Sequence, residues 1–287
     1  MKVLVTGAAG QVGSEVVAAL ADHPTHPEVL AVGHADLDLA DREAIEQVVG
    51  SFAPDAIVSP GAFTNVDGCE SDPEKAYAVN ALGPRFLALA GSRIGAHIVH
   101  VSTDYVFDGT AGRPYSEWDD TNPISHYGRS KLGGEIEVAR HASSWAIART
   151  AWVFGNRGND FVQLALDAAA GADYGFVDDQ TGSPSYAPDV ARVLVQLALQ
   201  RVSGLFHAVN EGVCTRYQMA VDVLELRGLD PALLKIVSTA DLGRPAARPE
   251  FSAMSNAALP AAGVARLRHY REALAEYLGG TRSGDPA

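Results

Sequence analysis

The sequence predicts a doubly wound α/β fold, a parallel sheet with helices on both faces, followed by a smaller, loop-rich C-terminal region. Three observations carry this. The 287 residues are 47% hydrophobic, enough to bury the core of one large domain or two modest ones and unlike a disordered chain. Short β-branched apolar runs alternate with longer helical patterns, and near-continuous apolar strands belong to sheets covered on both faces. A glycine-rich stretch joins the first strand to the first helix.

Each element follows from its own stretch of chain. Lys2–Thr6 is an apolar run ended by glycine, and Gln11–Ala21 continues as a helix. Val29–Gly33 and Arg42–Phe52 repeat that strand and helix unit. Ala56–Ser59 is the third strand, and Pro73–Ile94 reads as one long helix leading into the strand His97–Ser102. The helix Tyr127–His141, the strand Trp145–Thr150, the helix Pro188–Gln200 and the strand Gly204–Val209 complete the alternation. Beyond Val209 the strand rhythm fades into helical stretches at Arg216–Arg227 and Tyr270–Leu278, joined by loops containing proline and glycine. Residues 281–287 read as a disordered tail.

Charge narrows the function classes. Against 35 acidic residues stand 22 basic ones, a net charge of −13, so no general positive field is available to hold phosphodiester backbones and nucleic acid is not an expected partner. Only four of the basic residues are lysines, Lys2, Lys75, Lys131 and Lys235, which makes a lysine at a motif position informative. The two cysteines, Cys69 and Cys214, are far apart and form no C-x-x-C pair, arguing against a disulfide framework and a cysteine-rich zinc site. No uncharged run approaches the roughly 18 residues of a spanning helix. Polar and glycine residues from Gly7 to Glu15 interrupt the start before a signal-peptide core can form. A soluble cytoplasmic protein, off the membrane, is expected.

Three stretches carry chemistry. Thr6-Gly7-Ala8-Ala9-Gly10-Gln11-Val12-Gly13 follows a strand and opens a helix. Glycines there permit a tight turn and close backbone approach, and the helix N-terminus attracts a pyrophosphate; the plainer reading is a turn without ligand. The acid that would take the ribose 2′-hydroxyl belongs about 20 residues further on, where the chain reads Val32-Gly33-His34-Ala35-Asp36. Gly33 and His34 hold the discriminating positions and the first acid is displaced, so NADPH is at least tolerated, with NADH also open. His34 could equally be an ordinary loop histidine. In Tyr127-Gly128-Arg129-Ser130-Lys131 the spacing of four stacks phenol and ammonium on one helix face, where a cation lowers the phenol pKa and tunes a proton donor, unless the two are a surface pair. Ser102-Thr103-Asp104-Tyr105 ends a buried strand, where doubly wound sheets present side chains to ligands; its alternative is a turn-forming Ser/Thr.

Together these residues resemble the extended short-chain dehydrogenase/reductases, and more narrowly the dTDP-4-dehydrorhamnose reductase family. The narrower likeness rests on Ser102-Thr103-Asp104-Tyr105-Val106-Phe107-Asp108-Gly109, Asn122-Pro123, and Arg149-Thr150-Ala151-Trp152-Val153-Phe154-Gly155. It continues through Asp178-Asp179-Gln180-Thr181-Gly182-Ser183-Pro184, Asn210-Glu211-Gly212 and Arg244-Pro245-Ala246-Ala247-Arg248-Pro249, almost the whole chain. The resemblance implies a Rossmann sheet and an NAD(P)H-dependent reduction of the 4-keto group of a nucleoside-diphosphate 6-deoxysugar. It implies Tyr127 as general acid, Lys131 on the nicotinamide ribose and lowering the Tyr127 pKa, and Thr103 orienting the carbonyl. Gly7, Gly10, Gln11, Val12 and Gly13 would line the pyrophosphate, with His34, Asp38, Leu39 and Ala62 along the rest of the cofactor, and Asn80 supporting the site. Asp104, Tyr105 and Trp152 would meet the sugar, and Arg244 and Arg248 the diphosphate. The implied dinucleotide-binding domain is 1–154 plus roughly 181–209, and the substrate-binding region roughly 155–180 and 210–280. No metal is implied, and a homodimer is left open.

Two departures stand out. Where the family usually reads Asn-Ala-Ala after the third strand, this chain reads Ser59-Pro60-Gly61-Ala62-Phe63-Thr64, so Pro60 removes an amide and Gly61 a side chain beside the cofactor. After Asn210-Glu211-Gly212 the common Ser-Trp-Tyr is replaced by Thr215-Arg216-Tyr217, which points toward another deoxysugar. The alternatives are a non-catalytic NADP-binding regulatory subunit of the methionine adenosyltransferase type and a related nucleotide-sugar epimerase, dehydratase or ketoreductase. The intact Thr103, Tyr127 and Lys131 weigh against the first. Tyr105 after Asp104, in place of a second acid, weighs against a dehydratase.

Overall fold

The computed structural model describes residues 1–157 and 161–279; the tail expected at 281–287 lies outside them. Six strands form the central sheet: β1 (Lys2–Thr6), β2 (Glu28–Val32), β3 (Ala56–Ser59), β4 (His97–Thr103), β5 (Trp145–Thr150) and β6 (Gly204–His207). They lie in the order β6-β5-β4-β3-β1-β2, every pairing parallel. The order reverses between β1 and β3, and a doubly wound sheet binds ligands outside the carboxyl ends of its strands at that switch point.

Side-chain alternation along the strands divides the core in two. Val3, Val5, Val58, Val99 and Ala148 pack with Val16 and Leu20 of the helix Gln11–Ala21 and with Val190 and Leu194 of the helix Ala187–Leu199. Leu4, Ile57, Ile98 and Ile147 face the opposite way, onto Ile45, Val49, Leu87 and Val138 of the helices Arg42–Phe52, Gly83–Arg93 and His126–His141. Period-two alternation thus feeds both layers from the same strands. A further cluster, including Phe154, Val162, Phe176, Met219, Val223 and Leu274, takes no residue from the central sheet. Leu259, Val264 and Leu267 return to the first layer, so part of the stretch 210–280 packs with the sheet.

Several element boundaries differ from the sequence reading. The strand expected at Val29–Gly33 stops at Val32 because the Gly33 amide donates to the Asp36 carboxylate at 2.8 Å. The strand expected to reach Val209 ends at His207; the Val209 amide and carbonyl pair with the Asn256 side chain instead. The single helix expected over Pro73–Ile94 is a helix Pro73–Tyr77, a π turn Ala78–Leu82 and a helix Gly83–Arg93. Pro84 offers no amide hydrogen, which accounts for the wider turn before it. A helix Val66–Ser71 and a helix Phe161–Ala169 were not read. Strand pairing also persists in the C-terminal half, where 175–177 pairs with 235–237 and 181–182 with 214–215; runs of two or three residues carry too little alternation to be seen. Among the described residues no helix is long and apolar enough to cross a membrane.

Candidate active site

The glycine loop closes tightly on its neighbours. Gly7 has φ 58°, in the left-handed region where a side chain is strained, and the Gly10 amide donates to the Gly7 carbonyl at 2.9 Å. A side chain on Gly13 would overlap that carbonyl, and one on Gly7 would come within 2.6 Å of Gly61 Cα. Gly61 therefore packs against the loop backbone, which gives the Ser59-Pro60-Gly61 departure a structural reason. Below it, the Thr6 hydroxyl donates to Ser59 Oγ at 3.3 Å.

The helix His126–His141 begins one residue before the expected Tyr127, with the Ser125 hydroxyl capping the Gly128 amide at 3.1 Å. A side chain on Gly128 would strike the Tyr105 carbonyl, and one on Gly134 the Asn80 carbonyl. These two glycines let the helix lie against backbone and bring Tyr127 and Lys131 over the end of β4. Asn80, on the π turn, accepts from the Phe63 amide at 2.8 Å and donates to the Phe63 carbonyl and the Ser130 hydroxyl, each at 3.0 Å. It ties the loop after β3 to the same helix.

Thr103, Asp104, Tyr105, Tyr127 and Lys131 then share one cavity of about 570 Å³ with Gly7, Gly10, Gln11, Val12, Gly13, His34, Ala62 and Trp152. The Thr103 hydroxyl donates to Asp104 at 3.0 Å and accepts from the Tyr105 amide at 3.2 Å. Ser252 donates to the other Asp104 oxygen at 2.5 Å, yet burial pushes this carboxyl up to about 6. Lys131 is buried, its ammonium donates to the Val101 carbonyl at 2.6 Å, and burial brings it down to about 8. Burial also pushes the Tyr127 phenol up, and the opposing influence is its hydrogen bond with Thr103. The expectation that Lys131 lowers the phenol is thus corrected: the ammonium is turned to Val101, and burial favours the protonated phenol. Among the buried polar atoms lining this cavity, Gln11 Nε2, Ser102 Oγ and Thr150 Oγ1 have no partner.

A second cavity of about 340 Å³ adjoins the glycine loop and is lined by His34, Asp38, Leu39, Ala62 and Lys75, among others. The displaced acid Asp36 has folded back to cap the Gly33 amide. On the opposite side, a cavity of about 400 Å³ is lined by Trp152, Arg244, Arg248 and four further aromatic rings, those of Tyr105, Phe161, Tyr174 and Phe176. Trp152 has φ 45°, a strained setting for a bulky residue, and its ring lies where any side chain on Gly182 would stand. Arg244 is exposed, whereas Arg248 donates from both terminal nitrogens to Asp67, at 3.1 and 2.9 Å, so the two arginines grouped as a diphosphate clamp differ in their commitments.

The sequence-nominated residues other than Asn80 therefore line three cavities that share lining residues. Missed were Arg216, whose guanidinium lies 3.6 Å from the centre of the Trp152 ring, and Gln180, Phe161, Tyr174 and Phe176. The departure at Thr215-Arg216-Tyr217 was the one signal that pointed to Arg216.

A family model described as RmlD substrate binding domain matches residues 1–282. A dTDP-4-dehydrorhamnose reductase of Mycobacterium tuberculosis is 44% identical over 284 residues, covering 96% of this chain and 92% of that protein. The crystal structure of a dTDP-4-dehydrorhamnose reductase from Clostridium acetobutylicum superposes with a TM-score of 0.91 at 37% identity, over 97% of this chain and 99% of that one. A Bacillus anthracis dTDP-4-dehydrorhamnose reductase, in complex with NADP, gives a TM-score of 0.91 at 31% identity over 98% and 99%.

Proposed function

The chain belongs to the dTDP-4-dehydrorhamnose reductase family, and from that premise we propose that it is an NADPH-dependent reductase of the 4-keto group of a nucleoside-diphosphate 6-deoxysugar, with dTDP-4-dehydrorhamnose as the first candidate substrate. The observation that carries this reading is the single cavity that joins the glycine loop to Thr103, Tyr127 and Lys131. The regulatory-subunit alternative draws no support from the relatives.

The residues present fit a dinucleotide. The glycine cradle has no room for side chains, and the buried Gln11 amide nitrogen, without a partner, points to a polar ligand. Gly7, Gly10, Gln11, Val12 and Gly13 hold the pyrophosphate, and His34, Asp38, Leu39 and Ala62 the adenosine end. When bound, NADPH supplies the hydride. The chain's own residues do the rest. The Thr103 hydroxyl, turning its hydrogen from Asp104, orients the C4 carbonyl oxygen, and Tyr127 donates the proton that the developing alkoxide takes. Burial keeps the phenol protonated until that stronger base forms. Lys131 has ammonium hydrogens beyond the one given to Val101, available to a ribose hydroxyl. Trp152 packs on the sugar, with Asp104 and Tyr105 beneath it, and Arg244 reaches the diphosphate from the rim.

Residues 1–154 with roughly 181–209 form the dinucleotide-binding unit in this reading, and roughly 155–180 with 210–280 the substrate unit. Two buried free cysteines suit a reducing cytoplasm. Incubation with NADPH and a panel of 4-keto-6-deoxy nucleotide sugars, followed by absorbance of the reduced cofactor, tests the proposal. Stoichiometric oxidation supports a reductase. Sugar conversion without net oxidation would indicate an epimerase, and neither would leave a binding protein.

A further inference from the structure

Arg216 is half-buried and lines both the reaction cavity and the aromatic cavity, at the point where Tyr105 and Trp152 also border the two. Its guanidinium lies 3.6 Å from the centre of the Trp152 ring and 5.6 Å from that of Phe161. Stacking of this kind holds the plane of the fork while leaving its edge free for hydrogen bonds. Among the described residues no side chain or carbonyl accepts from it. The nearest acid by electrostatic influence is Asp104, whose oxygens are already engaged by Thr103 and Ser252. A desolvated cation without an acceptor is costly and calls for an anionic partner.

The other cations lining these two cavities are placed differently. Lys131 is turned to the Val101 carbonyl, Arg248 is paired with Asp67, and Arg244 stands on the exposed rim. Arg216 is the inner guanidinium without an acceptor, and it sits between the cavity suited to the reacting sugar and the cavity whose aromatic rings suit a base. In a nucleoside-diphosphate sugar the group between sugar and base is the diphosphate.

We propose that Arg216 is a phosphoryl-binding, specificity-determining residue that receives the diphosphate oxygens of the substrate at the junction of the two cavities. The proposal rests on the reading that the substrate is a nucleoside-diphosphate sugar. It also gives the Thr215-Arg216-Tyr217 departure a chemical content, because a charged fork stands where related chains commonly place an indole. Binding here would then draw more of its energy from the phosphates.

The test is calorimetric binding of thymidine, thymidine monophosphate and thymidine diphosphate to the wild-type chain saturated with NADPH, and to Arg216→Gln, Arg216→Lys and Arg216→Trp. The diphosphate affinity should fall about 10- to 100-fold in Arg216→Gln, the range for losing charge-assisted hydrogen bonds. It should fall less in Arg216→Lys, which keeps the charge without the fork, while thymidine affinity stays within about twofold. Because the diphosphate-to-thymidine ratio within one sample is independent of the folded fraction, a variant that loses stability still reports. An unchanged ratio in both Arg216→Gln and Arg216→Trp overturns the proposal. A wild-type chain that binds NADPH but does not bind thymidine diphosphate more tightly than thymidine overturns it too, and strikes first at the substrate class on which it rests.

Discussion

Arg248 and Asp67 join the C-terminal loop to the short helix Val66–Ser71 through two parallel hydrogen bonds of 3.1 and 2.9 Å. The Arg248 side chain is 8% exposed and that of Asp67 32%. The Ala246 amide donates to the same carboxylate, and Arg248 reaches back to the Ala246 carbonyl. The guanidinium therefore fixes the lip of the aromatic cavity before it can serve a ligand.

From this follows a division between the two loop arginines. Arg244→Ala should raise KM for the sugar nucleotide with little change in Tm. Arg248→Ala and Asp67→Ala should each lower Tm and raise KM together, with a coupling of about 1 kcal/mol between them in a double-mutant cycle. Thermal unfolding and steady-state kinetics on the three single variants and the double decide it; additive losses at Asp67 and Arg248 would show that the pair is incidental.

Cofactor choice turns on the end of β2. The Asp36 carboxylate accepts from the Gly33 amide, and His34, not an acid, lines both the reaction cavity and the adjoining one. NADPH should accordingly be used at least as well as NADH in kcat/KM. His34→Glu, placing a carboxylate where the ribose 2′-substituent is expected, should turn the ratio toward NADH by on the order of tenfold. A wild-type enzyme that strongly prefers NADH would sink the idea.

The sheet and the gathering of Thr103, Tyr127 and Lys131 in one cavity were legible in the sequence because both are written locally. Leu4 and Val5 announce a buried strand without help from elsewhere, and Tyr127 and Lys131 share a helix face by spacing alone. What escaped was written at long range. Arg248 looks like any loop arginine until folding brings Asp67, 181 positions away, against it. Arg216 gains meaning only through Trp152, and the π turn at Ala78–Leu82, which presents Asn80, depends on Pro84 in the following turn. The influence of Lys131 on Tyr127 was misjudged for the same reason: helix spacing places two residues on one face, but the Val101 carbonyl decides where the ammonium goes.

Asp104 should leave a mark on stability against pH. Its folded-state pKa, about 6, is raised by burial above the ordinary value of 3.8. The protonated carboxyl is therefore the form that the fold favours, and its contribution is fully present below pH 3.8 and is lost as pH rises through about 6. Relative to Asp104→Asn, the wild-type chain should lose about 3 kcal/mol of unfolding free energy across that window. Urea titrations of both proteins at intervals between pH 4 and 7 measure it. A difference that stays flat, or that grows in favour of the wild type with rising pH, contradicts the buried-carboxyl account.

The proton donor and the ammonium can be separated by what each substitution spares. Tyr127→Phe keeps the ring, its edge-on contact with Tyr105 at 5.4 Å and the glycine cradle, so NADPH affinity should hold while the single-turnover reduction rate falls about 10²- to 10⁴-fold, the usual worth of general acid catalysis. Lys131→Met removes a donor from the cofactor side, so affinity and rate should fall together. Because burial is the largest influence on the phenol and holds it above its ordinary range, the residual rate of Lys131→Met should lack any new dependence on phenol ionisation between pH 6 and 9. In the wild-type chain, NADPH affinity should weaken as pH rises through about 8, where Lys131 gives up its charge, and this dependence should vanish in Lys131→Met. Fluorescence titration with NADPH and stopped-flow reduction across that range supply both readings. Near wild-type turnover by Tyr127→Phe would show that the proton comes from elsewhere, and the Tyr127 and Lys131 spacing would then be an ordinary helix-face pair.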